Sequence, residues 1–151
     1  MTDDLLPYEH TQPGLLMLAV MAGALALVLA TLWVLPAGQR WMVGPSVLVI
    51  AGVAVLFYGL TVQVTDGTLT WYFGPHFWTN EIAVDAIARV EPVRNSALMG
   101  WGIRRLRDGW LYNVSGLDAV EVETRDGTTV RIGTDEPEAL CRALEQARDA
   151  P

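Results

Sequence analysis

The sequence predicts an α+β protein: an N-terminal two-helix transmembrane hairpin, then a seven-stranded, bent antiparallel β-barrel closed by a C-terminal α-helix. Three observations carry that reading. Two uncharged apolar runs of bilayer length lie side by side near the N-terminus. Short segments rich in β-branched and aromatic residues, separated by turn pairs, follow them. After Thr134 the apolar spacing changes to that of a helix. The composition agrees, with 52% hydrophobic residues and only 18% charged ones, against about 25% charged in an ordinary soluble domain.

Residues 1–14 read as a tail. They contain Asp3, Asp4 and Glu9 and no Lys or Arg, which argues against the basic n-region of a cleaved signal peptide. Leu15 to Leu35 is an uncharged run that spans about 31 Å as a helix, close to a hydrocarbon core of about 30 Å. Pro36 to Trp41 connect it to a second run, Met42 to Leu60, of about 28 Å by the same rise. Pro45 falls in the first turn of that run, where its missing N–H costs little. Trp33 and Trp41 near the connection, and Tyr8 and Tyr58 at the opposite ends, suit the membrane interface. Residues 15–60 therefore form a hairpin with both termini on one side. Neither run holds a charged or strongly polar residue, which argues against a transporter and for an anchor.

Residues 61–151 form the soluble part, with nine Arg and fourteen acidic residues. Thr61–Val64 alternates, and Asp66-Gly67 supplies a tight turn. Thr68–Phe73 is a second strand, broken by Gly74-Pro75. Phe77–Ile82 and Ile87–Val93 are the third and fourth. After a 17-residue connection, Arg94 to Trp110, the fifth runs from Trp110 to Val114. Ala119–Thr124 alternates with Val120 and Val122 inward and Glu121 and Glu123 outward. Asp126-Gly127 then leads into Thr128–Ile132. Thr134 or Asp135 can cap the last helix, Pro137 fits its first turn, and Leu140, Leu144 and Ala147 share one face to about Asp149. Seven short strands must curl to protect their edges, and a helix with one apolar stripe can close one end.

Two spans followed by seven strands and a helix resemble the small bacterial membrane proteins that carry a pleckstrin-homology-like (PH-like) domain. The local likeness lies in Gly100-Trp-Gly-Ile-Arg104, Gly109-Trp-Leu-Tyr112, Gly116 to Glu123 and Val130-Arg-Ile-Gly-Thr-Asp135, over about residues 61–149. It implies a PH-like barrel at 61–151, a binding or scaffolding role and no catalysis. Eukaryotic PH domains that bind phosphoinositides use basic residues in the first hairpin loop. The corresponding turn here, Thr65-Asp66-Gly67, is acidic, so that site is not carried over.

No constellation for chemistry stands out. His10 and His76 are the only histidines and Cys141 the only cysteine, too scattered for a metal site or an activated nucleophile. Cys141, between Leu140 and Leu144, reads as a core residue, and Glu121 and Glu123 as a solvated strand face. Asn113-Val-Ser115 matches a glycosylation triplet, a pattern short enough to arise by chance. The expectation is a protein that is not an enzyme, with no cofactor and no metal. A net charge of −7 without a single lysine argues against nucleic acid as partner.

The segment Arg94 to Trp110 is the exception. It gathers Arg94, Arg104, Arg105 and Arg107 against one acid, Asp108, and interleaves Trp101, Ile103, Leu106 and Trp110. Arginine offers a planar fork for carboxylate or phosphate, and tryptophan adds anchoring area. Three readings stand: a surface for a partner protein, a surface for anionic lipid headgroups, or arginines paired with Glu91, Asp108 or Asp118 while both tryptophans pack into the barrel. The candidate binding residues are thus Arg94, Trp101, Arg104, Arg105, Arg107 and Trp110. The function expected is a membrane-anchored interaction module for an unidentified protein, with anionic-lipid sensing as the alternative. The expected location is the cell membrane, in contact with the bilayer through both spans. Arg40, the one basic residue near them, would by itself place the connecting loop inside; the resemblance favours a cytoplasmic domain.

Overall fold

In the computed structural model, which describes residues 7–149, the chain enters and leaves its helical hairpin through a pair of bonded strands. β1 (Tyr8–Pro13) precedes α1 (Leu15–Ala30), and α2 (Val43–Leu56) is followed by β2 (Gly59–Thr65). β1 and β2 are antiparallel, with Pro13 opposite Gly59 and Tyr8 opposite Val64. Only Gly14 separates β1 from α1, and its N–H donates to the Tyr58 carbonyl at 2.7 Å. A Cβ at that position would stand 2.5 Å from the Phe57 carbonyl oxygen, so a side chain there would push the two helix ends apart.

The reading of residues 1–14 as a tail thus missed a strand; residues 1–6 lie outside the described region. With the 3₁₀ turns that flank α1 and α2, Leu15–Trp33 and Ala37–Leu56 are 19 and 20 residues long, and both are long and apolar enough to cross a membrane. Val43 is the one buried residue of α2, and α1 has none, so neither helix serves as a core for the rest. The helices stop short of the expected limits at Leu35 and Leu60. Pro36 disfavours helical geometry in the residue before it, and Leu60 is apolar because it lies fully buried in the core beneath β2.

The remaining strands are β3 (Thr68–Phe73), β4 (Phe77–Ala83), β5 (Ile87–Arg94), β6 (Gly102–Arg105), β7 (Gly109–Asn113), β8 (Asp118–Thr124) and β9 (Thr129–Gly133), followed by α3 (Pro137–Asp149). They make two sheets, ordered β1-β2-β3-β4 and β5-β8-β9-β7-β6. This corrects the expected architecture in three respects. Among the described residues nine strands replace seven, two sheets replace a closed barrel, and β7 runs parallel to β9 where an all-antiparallel order was expected. The extra strands are β1 and β6. β6 occupies the middle of the supposed 17-residue connection and pairs with β7 as a hairpin.

One core lies between the sheets. Leu60, Val62, Leu69, Trp71 and Phe73 meet Ile87, Tyr112, Val120, Val122 and Ile132, and Leu140, Cys141 and Leu144 of α3 close one side. Trp71 and Tyr112 join the sheets edge to face, with ring centroids 5.4 Å apart. The N-terminus of α3 is tied to β1, where His10 Nε2 lies 2.6 Å from Asp135 Oδ1 and Nδ1 3.5 Å from Glu136 Oε2.

Candidate functional site

Both sheets have a helix end and a far end. At the helix end, Gln12 donates its amide to the Ser115 carbonyl at 3.2 Å, which places the β7–β8 turn beside the start of α1. At the far end, the backbone bonds Val84 N–H to Gly67 O, Arg125 N–H to Ala86 O and Thr129 N–H to Asp108 O involve four turns. The strands between are four to eight residues long, about 13–26 Å at 3.3 Å per residue.

Across the outer face of the second sheet one register row reads Arg104, Leu111, Arg131, Glu121 and Glu91, from β6 to β5. Arg131 and Glu121 form an ion pair in the middle of that row. The segment from Asn95 to Trp101 folds over this face. Asn95 and Met99 both accept from Arg131 Nη1, at 3.5 and 3.8 Å, and Trp101 Nε1 donates to the Gly116 carbonyl at 3.1 Å. That cover explains why Leu111 and Asn113, though partly on the outer face, are fully buried. Beside it opens a cleft of about 240 Å³, lined by Met99, Leu106, Arg107, Asp108, Glu121, Thr129 and Arg131.

The six residues singled out in the sequence do not form one patch. Arg94 ends β5 near the helices, 3.9 Å from Asp118. Trp101 is tied down by its indole N–H. Arg104 and Arg105 are adjacent on a strand and so point to opposite faces; Arg104 donates to the Trp101 carbonyl at 3.4 Å, and Arg105 stands opposite Trp110. Arg107 sits in the β6–β7 turn at the far end. Trp110 is 42% exposed and neither tryptophan joins the core. Within the described residues Arg104, Arg105 and Arg107 make no ion pair. The residues that the sequence reading missed are Arg131 and Glu121, whose pairing across β8 and β9 becomes visible only once the hairpin register is known.

Burial pushes the Cys141 thiol up to about 11, with Glu145, Glu138 and Glu91 adding to it. No group of three or more His, Cys, Asp or Glu able to hold a metal comes together among the described residues. No protein-family model matches the chain, and no curated protein matches it.

Proposed function

We propose that the protein is a non-enzymatic, PH-like interaction module that its helical hairpin holds at the membrane, and that it binds an acidic segment of a partner protein along β6. The observation that carries this reading is the β6–β7 hairpin. β6 is the last strand of its sheet, so one side of its backbone is open to an added strand. Three arginines without a carboxylate partner in the described residues line that strand and its turn. Two sheets around one core with a helix across one side support the PH-like part of the reading; the parallel β7·β9 pair is a departure within it. The soluble domain is assigned to the cytoplasm on the strength of the same resemblance.

Lipid recognition by these arginines fits less well. β7 spans about 17 Å between the helix end and the turn that holds Arg107, so Arg107 and Arg105 lie at the end of the domain away from the bilayer that the helices would enter. The test is a photo-crosslinking residue at Ile103 of the full-length protein in its native membrane, with the captured segment mapped by mass spectrometry. An acidic segment is expected, and Arg104→Gln, Arg105→Gln and Arg107→Gln together should abolish its capture while the circular dichroism spectrum stays unchanged. Capture that survives the triple change sinks the arginine reading. Salt-sensitive binding to anionic vesicles that disappears in the triple variant replaces it with the lipid reading.

A further inference from the structure

The turn between β3 and β4, together with the start of β4, carries an unusual backbone. Gly74, His76 and Trp78 have φ values of +46°, +59° and +55°. Glycine takes that region without penalty, whereas a bulky residue there is a genuine outlier that surrounding contacts must hold in place. The holding contacts are visible. Asn80 donates its amide to the Trp78 carbonyl at 3.0 Å, and Thr79 its hydroxyl to the His76 carbonyl at 3.2 Å. The His76 ring stacks on Tyr72 at 4.0 Å. A register shift faces this turn, with Trp71 opposite Asn80 but Phe73 opposite Phe77, so β4 carries one extra residue. Such bulges re-aim a side chain. The side chain re-aimed here is an indole left 55% exposed.

Its position gives the exposure a meaning. The Gly74 N–H donates to the Gly59 carbonyl at 3.0 Å, and a Cβ on Gly74 would stand 2.6 and 2.7 Å from the carbonyl oxygens of Leu56 and Val55. The turn is therefore seated on the last turn of α2. Phe57, one residue past that helix, packs against Phe73 at 5.2 Å and Phe77 at 6.1 Å, and Phe77 packs edge-on against Trp78 at 6.1 Å. Tyr58, also next to the helix end, is 48% exposed. An exposed tryptophan and tyrosine beside the exit of a 20-residue apolar helix lie where a bilayer changes from hydrocarbon to headgroups. Indole and phenol rings are most stable in that layer.

We infer that the Gly74–Thr79 segment is an interfacial anchor: Trp78 enters the headgroup layer beside the exit of α2 and fixes the height and tilt of the domain on the membrane. The ligand is the bilayer interface itself, met by an uncharged aromatic rather than by the arginines of β6. The inference rests on the reading of the hairpin as membrane-spanning.

The experiment uses the full-length protein in lipid nanodiscs with 5-fluorotryptophan at all six tryptophans, resonances being assigned by single Trp→Phe changes. A spin label near the lipid headgroups and a water-soluble paramagnetic chelate are added in separate samples. Trp33 and Trp41 report the other end of the hairpin and Trp110 reports the far end of the domain. The headgroup label should abolish the signals of Trp33, Trp41 and Trp78 and spare Trp110, while the soluble chelate does the reverse for Trp78 and Trp110. If Trp33 and Trp41 respond to the lipid label but Trp78 behaves like Trp110, the anchor is wrong and the membrane hairpin stands. If none responds to lipid, the hairpin reading fails and the anchor with it.

Discussion

At Gly109 the backbone of β7 lies so close to β9 that a Cβ would overlap the Thr129 carbonyl oxygen. Gly109→Ala must therefore spread the parallel pair or break its first bonds, and forced overpacking of this kind costs about 1–3 kcal/mol; thermal unfolding followed by circular dichroism should show the loss. Cys141 makes a second case. Its thiol titrates near 11 in the folded chain against an ordinary 9.0, because burial penalises the thiolate. Tyr8 is raised likewise, from 10.0 to about 12, by burial first and by Glu136 second. Unfolded chains release these protons first. The stability that the two groups contribute is whole below pH 9 and is lost as pH rises through 11 to 12. Alkaline melts should drop over that window, and at pH 8 a maleimide should label Cys141 only after denaturant is added. The core reading of Cys141 was legible from its place between Leu140 and Leu144. The arginine cluster was legible as a run but not as a surface, because neighbours on a strand face opposite ways and only the register with β7 shows which arginine meets what.

Elements were legible where a local signal sufficed. Asp66-Gly67 has φ of +51° and +70°, the primed turn that such a pair favours, and β2 and β3 pair around it with Thr65 opposite Thr68. α3 follows its apolar stripe, with Leu140 and Leu144 at 0% and 1% exposure. Leu144→Ala should cost about 2–5 kcal/mol; a loss below about half a kcal/mol in denaturant titration would detach the helix from the core. β1 and β6 left no local signal. Tyr-Glu-His-Thr-Gln-Pro and Gly-Ile-Arg-Arg are polar and lack an alternating apolar face. Each is a strand because of a partner: β2, across the whole hairpin, or β7, whose edge it covers. Removal of residues 1–13 should therefore leave α1 and α2 helical yet lower the melting temperature and promote aggregation, since β2 would become an exposed edge.

For the whole molecule, the apolar runs and the change of period announced a hairpin, a β-rich part and a final helix. Closure was not legible, because the count of strands decides between one curled sheet and two, and two strands were hidden. The molecule's sidedness can be checked as a unit. If the hairpin spans a membrane, tags placed at both termini should be digested from the same side in spheroplasts or in inverted vesicles, and opposite protection of the two tags would rule out the β1·β2 pair. That pair has a further meaning for biogenesis. β1 precedes both helices in the chain and its partner β2 follows them, so if the helices insert into a membrane the pair closes only once insertion is complete. A chain with one helix inserted and the other left out would strand β1 and β2 on opposite sides, leaving an open sheet for quality-control proteases to find. In a membrane-spanning hairpin the bonds that finish the sheet would thus double as proofreading of the way the chain was threaded.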